Sequence, residues 1–316
     1  MMIRSLLLLL PLALWTYAFI SPRFTGKDIS ASFLGFVWAF HASLLLNILF
    51  MQQGFWKASI DDTLFYGVAL DWVIAQAIIM GAIVPLFFSK FILRFLPRFN
   101  RLSQSLLTLA LVVFMYDAAG MPLTALSSIP VILSVIIFCA LPAQLLAHWT
   151  AQETHIKSRS TLQSLAWACL LLWLLPSTLF YLTDESWNTL LQRDLWFTGL
   201  YLLPLIIPAV LLIGALYQFA IEGEGTAFPY DPPRKLVTGG VYQYLSNPMQ
   251  LGICLMMGWW GFVLGSLWVA ITAPIAFILF LVFKDVCNGS CAIGKGDPAW
   301  EAYQKRVRKW VPRFRS

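Results

Sequence analysis

The chain has 316 residues, of which 59% are hydrophobic and 11% charged, with a net charge of +6. A soluble domain carries about 25% charged residues, and here the basic residues cluster between apolar runs rather than on a polar module. Soluble globular and nucleic-acid-binding roles are therefore disfavoured. Apolar runs of about 18 residues or more recur throughout, each able to cross about 30 Å of hydrocarbon as a helix. Backbone in lipid must satisfy its own hydrogen bonds, so the expected fold is all-α, a polytopic membrane helix bundle.

About nine spans are expected, near 2–21, 30–52, 64–88, 102–120, 127–147, 161–182, 195–219, 249–264 and 267–284. The first resembles a secretory leader, with one early arginine before a leucine run. Tyr17, Phe19 and Ile20 are too bulky for a small-x-small cleavage site, which favours a retained helix. His41 and Asn47 fall in the second span, Asp71 in the third and Asp117 in the fourth. Ionisable groups in lipid face the bundle interior or water. Asp71 and Asp117 lie near the expected outer interface, suited to pairing or solvation. His41 reads as a packing histidine, because no second histidine or cysteine lies at metal-binding spacing, and no metal site is expected. Cys139, Cys169 and Cys254 sit in apolar runs as small hydrophobes. The last two spans are joined by "WWGFVLGS", a tight hairpin in which Gly261 and Gly265 permit close backbone approach.

Charge orients the bundle. Arg23 and Lys27 follow span 1; Lys90, Arg94, Arg98 and Arg101 follow span 3; Lys157 and Arg159 follow span 5; Arg234 and Lys235 follow span 7. The tail "KRVRKWVPRFR" follows span 9, so the basic boundaries are the odd-numbered ones. Positive loops stay cytoplasmic, which places the N-terminus outside and the tail inside. The same residues suit anionic lipid headgroups.

The concentrated signal lies after residue 220. "EGEGTAFPYDPPRKLVTGGVYQYLSNPM" runs from span 7 into span 8: Gly223 and Gly225 permit unusual backbone angles, Pro229, Pro232 and Pro233 extend the chain, and Gly239-Gly240 turns it. Asn247-Pro248 reads as a helix start, with proline at the first position and the asparagine side chain on the exposed amides. Those amides could alternatively hold a ligand carboxylate. Tyr242 and Tyr244 offer flat faces and hydroxyls beside them, or serve as interface anchors. In "CNGSC", Asn-Gly-Ser favours a turn, and Cys287 with Cys291 cannot alone complete a zinc site. In the tail, Trp300, Tyr303 and Val307 fall three and four apart, on one side of an amphipathic helix.

"GEGT", then "LVTGGVYQYLSNPMQLG", then a close hairpin, then "GDPAWEAYQKRVRKWVPRF" resembles the integral membrane methyltransferases, a family that includes isoprenylcysteine carboxyl methyltransferases and bacterial phospholipid methyltransferases. The resemblance covers about the last third of the chain and implies two regions: an N-terminal transmembrane region at 1–193 and a methyltransferase-like core at 194–316. It implies that Tyr242, Tyr244, Asn247, Pro248 and Gly252 line S-adenosylmethionine, with Gly225, Thr226 and Gly240 in the turns beside them. Trp300 and Tyr303 correspond to C-terminal aromatic positions over the cofactor. The chain departs from the family at Ser246, where arginine is usual, and at Gln250, where tyrosine is usual. The acidic pair is replaced by Lys284-Asp285. Asp285, supplemented by Asn288, retains one carboxylate for the cofactor's amino group or ribose, and Glu222, Glu224 and Asp285 are candidate bases.

The resemblance implies methyl transfer from S-adenosylmethionine to a lipophilic acceptor that arrives from the bilayer, whether lipid amine, thiol or carboxylate. No obligate protein partner is implied, and the expected location is a bacterial inner membrane with the cofactor site cytoplasmic. The alternatives are a non-catalytic scaffold on a methyltransferase-like core, and a transporter; the latter predicts related halves with broken helices at the midplane, which the sequence does not show.

Overall fold

The computed structural model describes residues 2–55, 64–87, 104, 106–108, 110–111, 113–114, 129–226, 233–282 and 297–312. The chain packs as two units, Met1–His155 and Ile156–Ser316. In the second unit the helix beginning at Ile156 packs on the one ending at Ile221.

In the first unit, α1 (Met2–Ile20) is followed by α2 (Gly26–Gln52). Thr25 and Asp28 form a reciprocal capping box that starts α2: Thr25 Oγ1 accepts from the Asp28 amide, and Asp28 Oδ2 accepts from the Thr25 amide at 2.8 Å. A two-residue hairpin, β1 (Leu64–Phe65) and β2 (Val68–Ala69), turns through Tyr66 and Gly67, both at positive φ. It leads into α3 (Leu70–Phe87), and α4 (Ile129–Ala151) completes the unit. The backbones of α2 and α3 cross at Gly35 and Gly81, where a Cβ on either would collide with the other's carbonyl. Small residues must supply this contact, since apolar side chains gain little by leaving lipid for another helix. Below the crossing, Ser43 donates to Gln76 Oε1 at 2.9 Å, and Asn47 Nδ2 donates to the Ser43 carbonyl at 2.7 Å. His41 is buried as expected, with Nδ1 bonded to the Val37 carbonyl at 2.7 Å. Asp71 Oδ1 accepts from the Trp72 amide at the start of α3; Asp117 lies outside the described residues.

The second unit comprises α5 (Ile156–Thr183), α6 (Asn188–Leu191), α7 (Leu195–Ile221), a 3-10 turn at Gly240–Gln243, α8 (Pro248–Leu264), α9 (Leu267–Val282) and α10 (Pro298–Arg306). The hairpin between α8 and α9 is as tight as expected. Gly265 is left-handed at φ 68°, Ser266 N donates to the Gly261 carbonyl at 2.9 Å, and Gly261 lies against the Ala270 backbone.

Five helices among the described residues, α2, α3, α4, α5 and α7, are long and apolar enough to cross a membrane. Leu9–Ile20, Pro248–Leu264 and Leu267–Leu279 are shorter apolar helices, and the expected span at 102–120 lies largely outside the described residues. The chain is a multi-pass helical membrane protein.

Proline shapes these helices in a way that the apolar runs alone do not reveal. π-Helical turns occupy Ile78–Ile83, Val135–Ala140 and Leu170–Leu174, and each is followed two residues later by a proline: Pro85, Pro142 and Pro176. The residue before each proline donates five residues back, Val84 to Ile79, Leu141 to Ile136 and Leu175 to Leu170. Proline has no N–H and crowds the carbonyl four residues earlier; the wider turn relieves the crowding. The carbonyls deprived of an N–H are those of Gly81, Phe138 and Leu172. Trp38 Nε1 donates to Phe138 O at 2.9 Å, Trp260 Nε1 donates to Leu172 O at 3.0 Å, and Gly81 O lies over Gly35. Beside the 3-10 turn around Pro204, Trp259 Nε1 donates to Tyr201 O at 2.7 Å. Two adjacent indoles of α8 thus bind α5 and α7 at their irregular turns.

Trp260→Phe should lower the unfolding midpoint in detergent by leaving Leu172 O unpaired, a loss of about 1–3 kcal/mol. Pro176→Ala restores an N–H for that carbonyl, so the loss should shrink by about 1 kcal/mol in that background. Equal losses in both backgrounds, measured by thermal unfolding of the four proteins, would contradict the assignment.

Candidate cofactor loop and C-terminal clasp

The site is built from the end of α7 outward. Glu222 and Gly223 both donate to the Gln218 carbonyl, at 2.9 and 3.2 Å, and Gly225 donates to the Phe219 carbonyl at 3.1 Å. Gly223 is enclosed by Phe219, Pro233 and Val237, so a side chain there would displace the returning strand of the loop. Its carbonyl accepts from the Arg234 and Lys235 amides at 2.7 and 3.2 Å. The loop therefore leaves α7 and returns against the same turn.

Glu222 fastens the return. Its Oε1 accepts from the Thr238 amide at 3.0 Å, and its Oε2 accepts from the Gly239 amide at 2.9 Å. A carboxylate holding two consecutive amides leaves no room for a side chain at Gly239, whose Cβ would lie 2.6 Å from Oε2. Gly240 has φ 55°, with the Gln218 side chain where its own would project. The Gly239-Gly240 pair thus meets both a steric and a conformational requirement. Glu222, one of the candidate bases, is thus occupied by backbone; Glu224, another, is exposed, left-handed at φ 50°, and ion-paired with Lys235. The hydrogen bond and charge of Lys235 hold its carboxyl below the usual carboxylate range, which favours the ionised form; both groups are exposed and the pair adds little stability.

After the turn, the Tyr242 ring stacks on Phe219, with centroids 5.4 Å apart and planes within 10°. The tail closes over this pair. Asp297 caps α10 by accepting from the Ala299 amide at 2.8 Å, and Pro298 occupies the first helical position. Tyr303 Oη donates to the Tyr242 carbonyl at 2.8 Å, and the Ser246 amide donates to the Arg308 carbonyl at 2.9 Å. Tyr303 and Val307 are buried with Tyr242, Val237 and Ala215, and Trp300 and Met249 pack at the edge of this cluster. Burial pushes the hydroxyl pKa of both Tyr242 and Tyr303 upward, keeping them neutral. Further along, Trp310 lies against Phe277 of α9, with ring centroids 4.8 Å apart.

The expected residues therefore divide. Gly225, Gly240, Tyr242, Trp300 and Tyr303 belong to one assembly, and buried Thr226 follows Gly225 at the edge of the loop. Tyr242 and Tyr303, only 5% and 4% exposed, form the clasp between loop and tail; the Tyr303 hydroxyl is committed to backbone. Tyr244, at 46%, and Trp300, half-buried, keep exposed ring surface. Asn247 and Pro248 begin α8 as expected, but Asn247 makes no side-chain capping bond. Its ψ of 52° departs from the extended backbone that aims an N-cap side chain at the next amides, so the Met249 and Gln250 amides lack the side-chain cap expected of it. Gly252 faces α7, where a Cβ would come within 2.8 Å of Leu212 and 3.3 Å of the Pro208 carbonyl. It sets the approach of two helices. Asp285, Asn288, Cys287 and Cys291 lie outside the described residues.

Phe219 and the anchoring role of Glu222 were not evident from sequence. The available signal was the pair of consecutive glycine-turn amides, which need an acceptor, with Glu222 at a helix end nearby. Glu222→Ala should leave both amides without it and destabilise the loop by about 1.5–3 kcal/mol, read as faster hydrogen exchange at Thr238 and Gly239. Unchanged exchange would refute the anchoring role.

No curated protein and no solved structure matches the chain. The matched segment of the family model runs from the first turn of α7, through the loop and the α8–α9 hairpin, to just beyond α9, and stops before α10. Residues 197–287, in the last third of the chain, match phospholipid methyltransferase, the integral membrane methyltransferase family that the sequence motifs resemble.

Proposed function

We propose that the protein is a membrane-embedded methyltransferase that moves a methyl group from S-adenosylmethionine to a lipophilic acceptor, whether lipid amine, thiol or carboxylate. The single observation that supports this most is the clasp: the tail, outside the family-matched segment, is bonded to the Tyr-x-Tyr loop within it through Tyr303 and Ser246. A tail fastened across the start of α8 is suited to covering a water-soluble ligand at a membrane surface.

The described residues fit such a ligand. Uncapped amides at the start of α8 suit a carboxylate, and the exposed surfaces of Tyr244 and Trp300 suit a nucleoside or sulfonium. Glu222 is occupied by the loop and Glu224 by Lys235, so in this reading Asp285 and Asn288 take the amino group or ribose. The cofactor, when bound, supplies an electrophilic methyl on a positively charged sulfur. The chain's part is to hold the acceptor in line, exclude water beneath the tail, and keep neutral phenols rather than phenolates beside the reacting charge. The acceptor reaches the site from the bilayer, the cofactor from the cytoplasm, and the basic tail lies at anionic headgroups of a bacterial inner membrane.

Calorimetry of the detergent-purified chain should show saturable S-adenosylmethionine binding, and absence of binding at millimolar cofactor would defeat the proposal. Tyr303→Phe should weaken binding about fivefold, the equivalent of one hydrogen bond of about 1 kcal/mol. Asn247→Ala should weaken it more than His41→Ala; the reverse order would displace the site. Incubating membranes with methyl-labelled cofactor, then separating lipids, thiols and proteins, identifies the acceptor.

A further inference from the structure

α7 carries one carboxamide, Gln218, in its last turn, after a stretch between Tyr201 and Tyr217 that holds no polar residue. Gly214, Gln218 and Glu222 are spaced four apart and share one helical face. The returning segment of the loop runs along that face. Thr238 and Gly239 donate to Glu222, Gly240 lies at Gln218, and Val241 lies at Gly214, where a Cβ would come within 3.0 Å of the valine side chain. The Gln218 amide nitrogen occupies the space that a side chain on Gly240 would take, and its Oε1 would be 3.5 Å from a Cβ on Gly239. The carboxamide is half-buried, yet among the described residues neither its oxygen nor its nitrogen has a hydrogen-bond partner. Packing against a glycine turn would be served as well by methionine, which has no hydration to give up.

We propose that Gln218 is a specificity-determining residue that reads the adenine base of S-adenosylmethionine. This rests on the methyltransferase reading. Adenine presents an amino donor beside a ring-nitrogen acceptor, and a carboxamide answers both at once. The neighbouring carboxylates accept only, and Glu222 and Glu224 are already engaged by the loop amides and by Lys235. Gln218 also stands beside an aromatic surface suited to a base. It precedes Phe219 and touches Gly240, which precedes Val241; Phe219, Val241 and half-buried Trp300 pack on one cluster. Stacking on an indole holds any base, because every base has a π-face. The carboxamide supplies the discrimination that stacking lacks. Gly240 then has a second duty, since any side chain there would expel the carboxamide from its place.

The test is calorimetry on the full chain in detergent with two probes, S-adenosylhomocysteine and its analogue in which hydrogen replaces the 6-amino group of the base. The wild-type chain should bind the adenine compound about tenfold more tightly, because a site built to hydrogen-bond a group rejects the ligand that lacks it. Gln218→Met, similar in length and without the amide, should lower affinity for the adenine compound about tenfold and leave the two probes equal. The Thr238 and Gly239 amides should stay protected from hydrogen exchange in this variant. A parallel loss of affinity for both probes, with or without loss of that protection, would overturn the proposal as the mark of a packing role. Unchanged affinity for both, with loss of methyl label from membranes, would overturn it in favour of a contact with the acceptor. Wild-type binding without base preference would end this inference alone. Absence of binding by either probe would end the methyltransferase reading and this inference with it.

Discussion

Hydrocarbon does not hydrogen-bond, and this protein places prolines inside the helices that cross it. Each interior proline withdraws an N–H from the carbonyl one turn earlier, and an unpaired carbonyl in lipid is costly. At Pro142 and Pro176 the shortfall is met from another helix, by the indole N–H of Trp38 and of Trp260. Trp259 donates to the Tyr201 carbonyl beside the turn at Pro204. These bonds fix more than a carbonyl. Because Trp259 and Trp260 are neighbours on α8, the irregular turn of α7 and that of α5 are both referred to one helix. The start of that helix, at Asn247 and Pro248, carries the loop.

The candidate site follows from this placement. Gly252 lets α8 lie close against Pro208 and Leu212 of α7, so the end of α7 and the beginning of α8 form adjoining walls. Glu222 draws the intervening loop back by two amides, Phe219 provides the surface on which Tyr242 stacks, and Tyr303 fastens the tail to the Tyr242 carbonyl. Apart from the stacking of Tyr242 on Phe219, each of these contacts employs backbone on at least one side or a glycine. The assembly depends on how the chain is routed more than on the identity of individual exposed groups, which accords with a reaction in which alignment and exclusion of water account for much of the catalysis.

The two units handle buried polarity differently. In the first, Ser43, Asn47 and Gln76 share bonds between α2 and α3 next to the Gly35–Gly81 crossing, an arrangement that suits helix association. In the second, polar side chains line the inward face of α5 near its start, and Gln163 retains donor capacity.

The sequence by itself determined that the chain is helical and membrane-spanning, because apolar length is a local property and lipid admits few alternatives for backbone. It also determined the tight hairpin at Gly261 and Gly265 and the helix start at Asn247-Pro248, which are short-range consequences of backbone geometry; Val307, expected on the tail helix with Trp300 and Tyr303, instead lies just past its end in extended backbone. Local spacing could not say which faces of Tyr242 and Tyr303 would be covered, that Asn247 would leave its amides uncapped, or that Gly252 would serve a helix contact. Those outcomes depend on where α7, α8 and the tail meet. Only the tertiary structure decided them, as it decided that Trp260 would supply Pro176's missing hydrogen bond from 84 positions away along the chain: a carbonyl freed by proline can be read from sequence, but its donor is whatever the fold brings within about 3 Å.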